Sequence, residues 1–334
     1  MAAVPIPSTI NSLPSGIVED ILLRLSLKEM IRCRTNFAHL GHFAISLLRV
    51  LSLVYLYSRD KFSSARKIVQ PLAHPERVTE FVGCCNGLLL LHNRYHDLDL
   101  AIWNPTIQKF KRIPFAPIEL PAGTQRTHTM YGFGYDQSSS DYKIVRIVES
   151  ESNLWKKIQS FPYTGNSSHF YAPAVPLNGA IHWLVTDNSH SQSVRVIALD
   201  LSKETFNEFS TPFADVEGGI GLEVLGGSLC ICLNHFKTSN EVWKMKEYGV
   251  AESWVHFYTV EWKVVKKAFE YCTTLVLSKI GERVLLHNDS NLTKGFLFWY
   301  NFETNIGKVV RIPGSPAILG QLSVQPTLVS LLIR

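Results

Sequence analysis

Residues able to do chemistry are present in this sequence, but they are scattered. His92 and His287 stand near the ends of two short apolar runs, LLLLHN and RVLLHND. Asp97 and Asp99 are neighbours in NRYHDLDLA. Two carboxylates divide acid and base work only when their surroundings push their pKa values apart, and this polar loop reads as a solvated hairpin tip. Cys33, Cys84, Cys85, Cys230, Cys232 and Cys272 form no C-x-x-C pair and no paired spacing with histidine, so no metal site is expected. The stretch GGIGLEVLGG, residues 218–227, has Val224 where a dinucleotide-binding loop needs its third glycine, and it reads as lying between strands. The G-x-S-x-G, H-E-x-x-H and G-x-x-x-x-G-K-[ST] patterns do not occur. No catalytic residue and no cofactor is therefore assigned.

The elements that would position a site come next. The chain has 334 residues, 46% hydrophobic and 18% charged, a globular composition. Its net charge of +5 is spread along the chain without a basic run, which argues against a nucleic-acid partner. The most apolar run, Phe43–Tyr57, contains Arg49 and is shorter than the roughly 20 residues a spanning helix needs. It reads as a buried helix or strand and not as a membrane anchor. The first residues, MAAVPIPSTINSLP, have no basic start followed by a long apolar stretch. Alternating cysteines such as Cys230 and Cys232 behave as small hydrophobes in a reducing compartment. A cytoplasmic or nuclear protein is expected.

Most of the chain repeats. Turn signals feed short apolar runs at NGLLLLHN, YGFGYDQSSSDYKIVRIV, NGAIHWLV, GGSLCICLN and GERVLLHND. Anchored at Gly87, Gly132, Gly179, Gly227 and Gly281, the steps are 45, 47, 48 and 54 residues. Further strand–turn–strand pieces follow, with Asn104-Pro105, Asp200 and Asn301 as turn formers. A period of about 40–50 residues with several strands per unit points to β-propeller blades, five or six here. A sixth is expected to close through QPTLVSLLI pairing near Lys61–Val82. A Greek-key sandwich or an open array would share the same signals. Strands are expected near Leu89, Ile102, Ile144, Trp183, Ala198, Ile231, Val242, Leu285 and Phe298, with the tryptophans packed between blades.

The N-terminal stretch LPSGIVEDILLRLSLKEMIRCR differs in period. Pro14 suits a first helical turn. Ile17, Ile21, Leu22 and Leu25 form a helical stripe. Ser26 and Glu29 make a capping box for a second helix carrying Leu27, Met30, Ile31 and Cys33. Two helices this short need a core or a partner.

This stretch resembles the first half of an F-box. The repeat region resembles the F-box-associated, kelch-like domain of plant F-box proteins, in the branch of S-locus F-box proteins and defence regulators. The segments GCCNGLLLLHN, IWNPTIQKFKRIP, YGFGYDQSSSDYKIVRI, LNGAIHWLV, VIALDLSKETF, VWKMKEYGVAESW and LFWYNFETNIGKVVRIPG carry the likeness in order. The second half of the F-box, TNFAHLGHFAISLLRV, departs from the pattern, and the unit around VRIVESESNLWKKI is shorter than the family's. The resulting organisation is a flexible start (1–12), an F-box-like helical segment (13–57), a linker (58–77) and a β-propeller-like domain (78–334).

The resemblance implies a non-enzymatic substrate receptor of a cullin-based ubiquitin ligase. Leu13, Pro14, Ile17, Ile21, Leu22, Leu25, Leu27, Met30, Ile31 and Cys33 would face a Skp-type adaptor, and the β domain would hold a target protein. The alternative is an inert propeller that no longer binds the adaptor. Target contacts are expected in loops 93–100, 116–130, 186–194 and 234–240. Three of these follow the first strand of a unit and so should share one face. Tyr95, His96, His190, His235 and Phe236 are the candidate contact residues.

Overall fold

The computed structural model describes residues 42–310, apart from 74–78, 94–98, 105–108, 114–125, 151–173, 187–193, 264–270, 290–295 and shorter gaps. All nine expected strand centres fall inside strands. Four sheets are four-stranded antiparallel meanders. They are β4 (Thr79–Cys85) to β7 (Lys109–Ile113) through β5 (Leu88–Asn93) and β6 (Leu100–Asn104); β10 (Val175–Leu177) to β13 (Thr205–Ser210) through β11 (Ala180–Thr186) and β12 (Val194–Asp200); β14 (Gly219–Leu225) to β17 (Trp254–Glu261) through β15 (Ser228–His235) and β16 (Ser239–Met245); and β18 (Tyr271–Leu277) to β21 (Ile306–Val310) through β19 (Arg283–Asp289) and β20 (Phe296–Asn301). A two-stranded sheet, β8 (Arg126–Asp136) with β9 (Asp141–Ser150), lies between the first and second of these. The inner strands β4, β8, β10, β14 and β18 touch in series. This is a propeller arrangement.

A further sheet, β1 (His42–Leu48), β2 (Val50–Tyr57) and β3 (Lys61–Lys67), stands where helix and linker were expected. The helical segment therefore does not extend to residue 57, and residues 58–77 contain a strand. The physical reason is that short runs of Leu, Val, Ile and Tyr fit either period, and cross-strand pairing such as Ile45 with Leu53 decides. Residues 13–34 lie outside the described residues.

Why the strands are apolar runs follows from the seams. Leu88, Leu90, Tyr131 and Phe133 fill the first seam, between β4–β7 and β8–β9. Ile181, Trp183 and Leu199 meet Val145 and Ile147 in the second. Val196, Leu222, Ile231 and Trp254 lie in the third, and Val242, Tyr258, Val284 and Phe298 in the fourth. A sheet covered on both faces needs apolar residues on both, so β5 is buried along its whole length. The motif YGFGY is a product of one such seam. A Cβ on Gly132 would lie 2.6 Å from the Trp183 ring, and one on Gly134 2.7 Å from Leu201 Cδ1. Bare backbone on one face of β8 lets the next sheet close on it, while Phe133 fills the other face.

The repeat anchors Gly179, Gly227 and Gly281 lie in the first turns of their sheets, whereas Gly132 lies inside β8. Asn178-Gly179 and Gly226-Gly227 all have positive φ, between 51° and 76°, and Leu177 pairs with Ala180 and Leu225 with Ser228. These are two-residue hairpins whose twist suits the strands they join.

Candidate functional site

A four-stranded meander has two ends. Its first and third turns leave at one, and its second turn and the link to the next sheet leave at the other. Neighbouring sheets here run the same way, since Asn234 near the second turn of one sheet accepts the N–H of Cys272, near the start of the next, at 2.8 Å. The domain therefore has two distinct rims.

The rim of first and third turns clasps the sheets together. Asp136, Asp200 and Asn301 each accept backbone N–H groups two or three residues on. Ser140, Glu204 and Asn305 close these turns in the left-handed region. From β9, Lys143 donates to Leu201 O at 2.6 Å and Glu204 Oε1 at 3.0 Å, and lies 3.2 Å from Asp136. The hydrogen bond to Glu204 chiefly raises the Lys143 pKa. The Ser138 hydroxyl, with Ser139 and Lys143, holds the Asp136 carboxyl well below its usual range against the effect of burial.

The next clasp centres on His182 of β11, which is fully buried. Its Nδ1 meets Val175 O at 3.0 Å and its Nε2 meets the Tyr248 hydroxyl at 2.8 Å, from the β16–β17 turn. Phe209 packs edge-on against Tyr248. Burial pushes the His182 pKa down to about 4, so the ring is neutral: one nitrogen donates to Val175 O and the other accepts from Tyr248. At the third clasp Tyr300 donates to Thr259 O at 3.2 Å, and Phe302 packs on Phe257 and Tyr258.

Between the rims, Glu223 of β14 is completely buried against β18. Its Oε1 accepts the Thr274 N–H at 3.3 Å, while Oε2 has no hydrogen-bond partner. The groups around it are the Cys230, Cys232 and Cys272 thiols and the Tyr258 hydroxyl. Burial raises its pKa to about 8, so it is a neutral acid at pH 7. Among the described residues no group of three or more His, Cys, Asp or Glu could hold a metal ion, and no helix is long and apolar enough to cross a membrane.

The opposite rim carries the candidate contacts. The described hairpin there is His235–Ser239. Phe236 is 51% exposed, and Lys237 Nζ lies 4.7 Å from its ring centre. His235 Nε2 is 3.2 Å from Glu241, whose other oxygen accepts Trp243 Nε1–H at 2.7 Å. Trp243 stacks edge-on with Phe213, from the link between sheets, and with His256. The structure thus brings His235 and Phe236 into a patch that also holds Lys237, Glu241, Trp243 and Phe213. Sequence reading missed those four, although alternation along SNEVWKM places Glu241 and Trp243 on one face. Tyr95, His96 and His190 lie outside the described residues, as do Leu13 to Cys33.

Two details differ from expectation. Loops 93–100, 186–194 and 234–240 follow the second strand of a sheet and not the first, because each unit begins with a strand upstream of its glycine turn. They still hold equivalent positions. Asp99 is not a solvated tip: it meets Arg112 at 2.8 Å and accepts from Asn93 at 3.2 Å. His92 is buried and packs 5.1 Å from the Tyr131 ring.

A family model described as the F-box associated beta propeller domain matches residues 47–312. The chain belongs to this family. The match opens inside β1, so the F-box associated domain includes β2 and β3 and starts well before residue 78. The chain is similar to F-box protein CPR1 of Arabidopsis thaliana, 30% identical over 92% of this chain and 86% of that protein. F-box protein At4g22390 of the same plant is 26% identical over 87% and 84%. F-box/kelch-repeat protein At3g23880 is 30% identical over 73% and 78%. Clasps and seams hold an F-box associated domain together here, and near the second-turn rim Asn234 and Asn240 also bridge to Cys272 of the next sheet, at 2.8 and 3.2 Å.

Proposed function

We propose that this chain is the substrate-recognition subunit of a cullin-based ubiquitin ligase. Leu13, Pro14, Ile17, Ile21, Leu22, Leu25, Leu27, Met30, Ile31 and Cys33 dock on a Skp-type adaptor, and the second-turn rim of the β domain holds a target protein. In this reading the chain makes and breaks no bonds. It raises the local concentration of target beside a recruited conjugating enzyme, an effect of proximity and orientation. It acts in the cytoplasm or nucleus, without nucleic acid, membrane or cofactor.

The observation that carries the reading is the family match over residues 47–312 together with relatives named as F-box proteins. The exposed hairpin supports the choice of target surface. Side chains bridge neighbouring sheets near both rims, and the second-turn rim also presents Phe236 and Lys237 to solvent. The test is co-purification with a Skp-type adaptor. Ile21→Ala with Leu25→Ala removes two apolar anchors of a helix-in-groove contact and is expected to abolish capture while the β domain stays folded. Unchanged capture by the double variant sinks the assignment.

A second reading has a specific observation in its favour. Strands β1 and β2 occupy His42–Tyr57, where the second half of an F-box is expected to be helical. An inert propeller that has lost adaptor binding fits that difference. Wild-type chain that fails to capture any Skp-type adaptor would select it.

A further inference from the structure

Apart from the neutral acid Glu223, the buried and half-buried carboxylates among the described residues meet a cation of the same chain, with one exception. Asp99 meets Arg112 at 2.8 Å, Asp136 meets Lys143 at 3.2 Å and Asp200 meets Lys203 at 3.9 Å. Glu241 of β16 is 26% exposed, and among the described residues it meets no Lys or Arg. Its neighbours are an imidazole and an indole. His235 Nε2 lies 3.2 Å from one carboxylate oxygen, and Trp243 Nε1–H donates to the other at 2.7 Å. Each oxygen keeps a lone pair for a further donor.

What surrounds this carboxylate is aromatic. The Trp243 ring stands nearly perpendicular to Phe213, at 88° and 5.4 Å between centres, and to His256, at 84° and 5.8 Å. Phe213 comes from the link between the second and third four-stranded sheets, and His256 sits opposite Trp243 on β17. Trp243 and Phe213 are half-buried and His256 is exposed, with its Nε2 held 2.8 Å from the Thr259 hydroxyl. The face of an aromatic ring is the negative pole of its quadrupole. Three rings set at right angles beside a carboxylate therefore favour a cation and disfavour an anion. A wholly apolar guest would take water from Glu241 and give it no counter-charge. The neighbouring hairpin shows the same attraction within the chain, where Lys237 Nζ lies 4.7 Å from the centre of Phe236.

We propose that the cluster of Glu241, Trp243, Phe213 and His256 receives a basic side chain, lysine or arginine, of the target protein. This rests on the receptor reading above and adds to it the chemistry of the residue recognised. The carboxylate supplies the counter-charge that the other half-buried carboxylates find within the chain. The rings cover the aliphatic stem and meet the cation with their faces.

The probes are N-acetyl-lysine methylamide and N-acetyl-arginine methylamide, with the norleucine and citrulline compounds in the same blocked form as neutral counterparts. Each is titrated into the full-length chain. The reporter is the Trp243 indole N–H resonance, assigned by its loss in Trp243→Phe. At least one basic probe is expected to shift this resonance to saturation, and neither neutral probe is. Which basic probe binds separates an ammonium from a guanidinium. Glu241→Gln keeps an acceptor for the Trp243 N–H and removes the charge, and it is expected to weaken the basic probe by about threefold or more. Added salt is expected to weaken the same probe on the wild-type chain, a reading that stands even if the variant does not fold. Equal shifts with basic and neutral probes, no shift with any of them, or affinity indifferent to both charge removal and salt overturns the proposal. Adaptor capture is measured on the same samples. Binding of a basic probe without adaptor capture sinks the receptor reading and leaves the site. Adaptor capture without probe binding does the reverse.

Discussion

The two rims of the β domain put similar residues to different uses. On the rim of first and third turns, aromatic and charged side chains point back into the domain: Tyr248 onto His182, Phe302 onto Tyr258, Lys143 onto Leu201 and Glu204. On the other, Phe236 and Lys237 stack on each other at a hairpin tip and face water. The lesson is that an exposed aromatic cannot be read by type. Tyr248 is 40% exposed and structural, because its hydroxyl completes the hydrogen bonds of a buried histidine. Phe236, 51% exposed, lies at a hairpin tip beside Lys237.

The sharpest contrast should come from pH, because burial shifts Glu223 and His182 of the frame in opposite directions. Glu223 has its folded pKa raised to about 8 from 4.5. The folded state holds its proton more tightly than the unfolded state does, so stability falls as pH rises across that interval, by up to about 1.4 kcal/mol per pH unit. His182 has its folded pKa lowered to about 4 from 6.5, so stability falls as pH drops through that interval. The two trends oppose each other between about 4.5 and 6.5, and Glu223 acts alone from there to about 8. Glu223→Gln is expected to flatten the decline above pH 6.5 in urea titrations. A slope that survives the substitution places the titrating group elsewhere.

Next in size is the clasp itself. His182→Ala leaves Val175 O and the Tyr248 hydroxyl without their partner and opens a cavity, at a cost of about 2–4 kcal/mol. Thermal or urea unfolding measures it, and a loss below about 1 kcal/mol would show that the clasped rim does not carry the frame. Gly132→Ala presses a methyl into the Trp183 ring and should cost about 1–3 kcal/mol by the same measurement. The smallest effect on stability belongs to Phe236→Ala, within about 0.5 kcal/mol of the parent. Lower recovery of the target in affinity purification, with unfolding unchanged, would sharpen the division between rims. A marked loss of stability would break it.

Much of the frame was legible in the sequence because its signals are local. Asn-Gly and Gly-Gly favour a two-residue hairpin, as at Asn178-Gly179 and Gly226-Gly227, and an apolar run of six residues between such turns has few structures open to it. Nine strand positions and the repeat followed from that alone. The site was less legible. His235 and Phe236 stood out as turn residues of unusual type, but Glu241, Trp243 and Phe213 join them only when a strand and an inter-sheet link come together. His42–Tyr57 was less legible, because its composition suits both helix and strand.

What the sequence determined by itself is the order of turns and strands, the repeat, and the shortness of the unit after β9, all properties of neighbours along the chain. What only the tertiary structure decided is how the sheets are clasped to one another. The meeting of His182 with Tyr248, 66 residues apart, or of Lys143 with Glu204, 61 apart, depends on the rotation of one sheet against the next. Long-range contacts carry no local pattern, so the same Tyr and Lys read from the chain as free surface until the neighbouring sheet is in place.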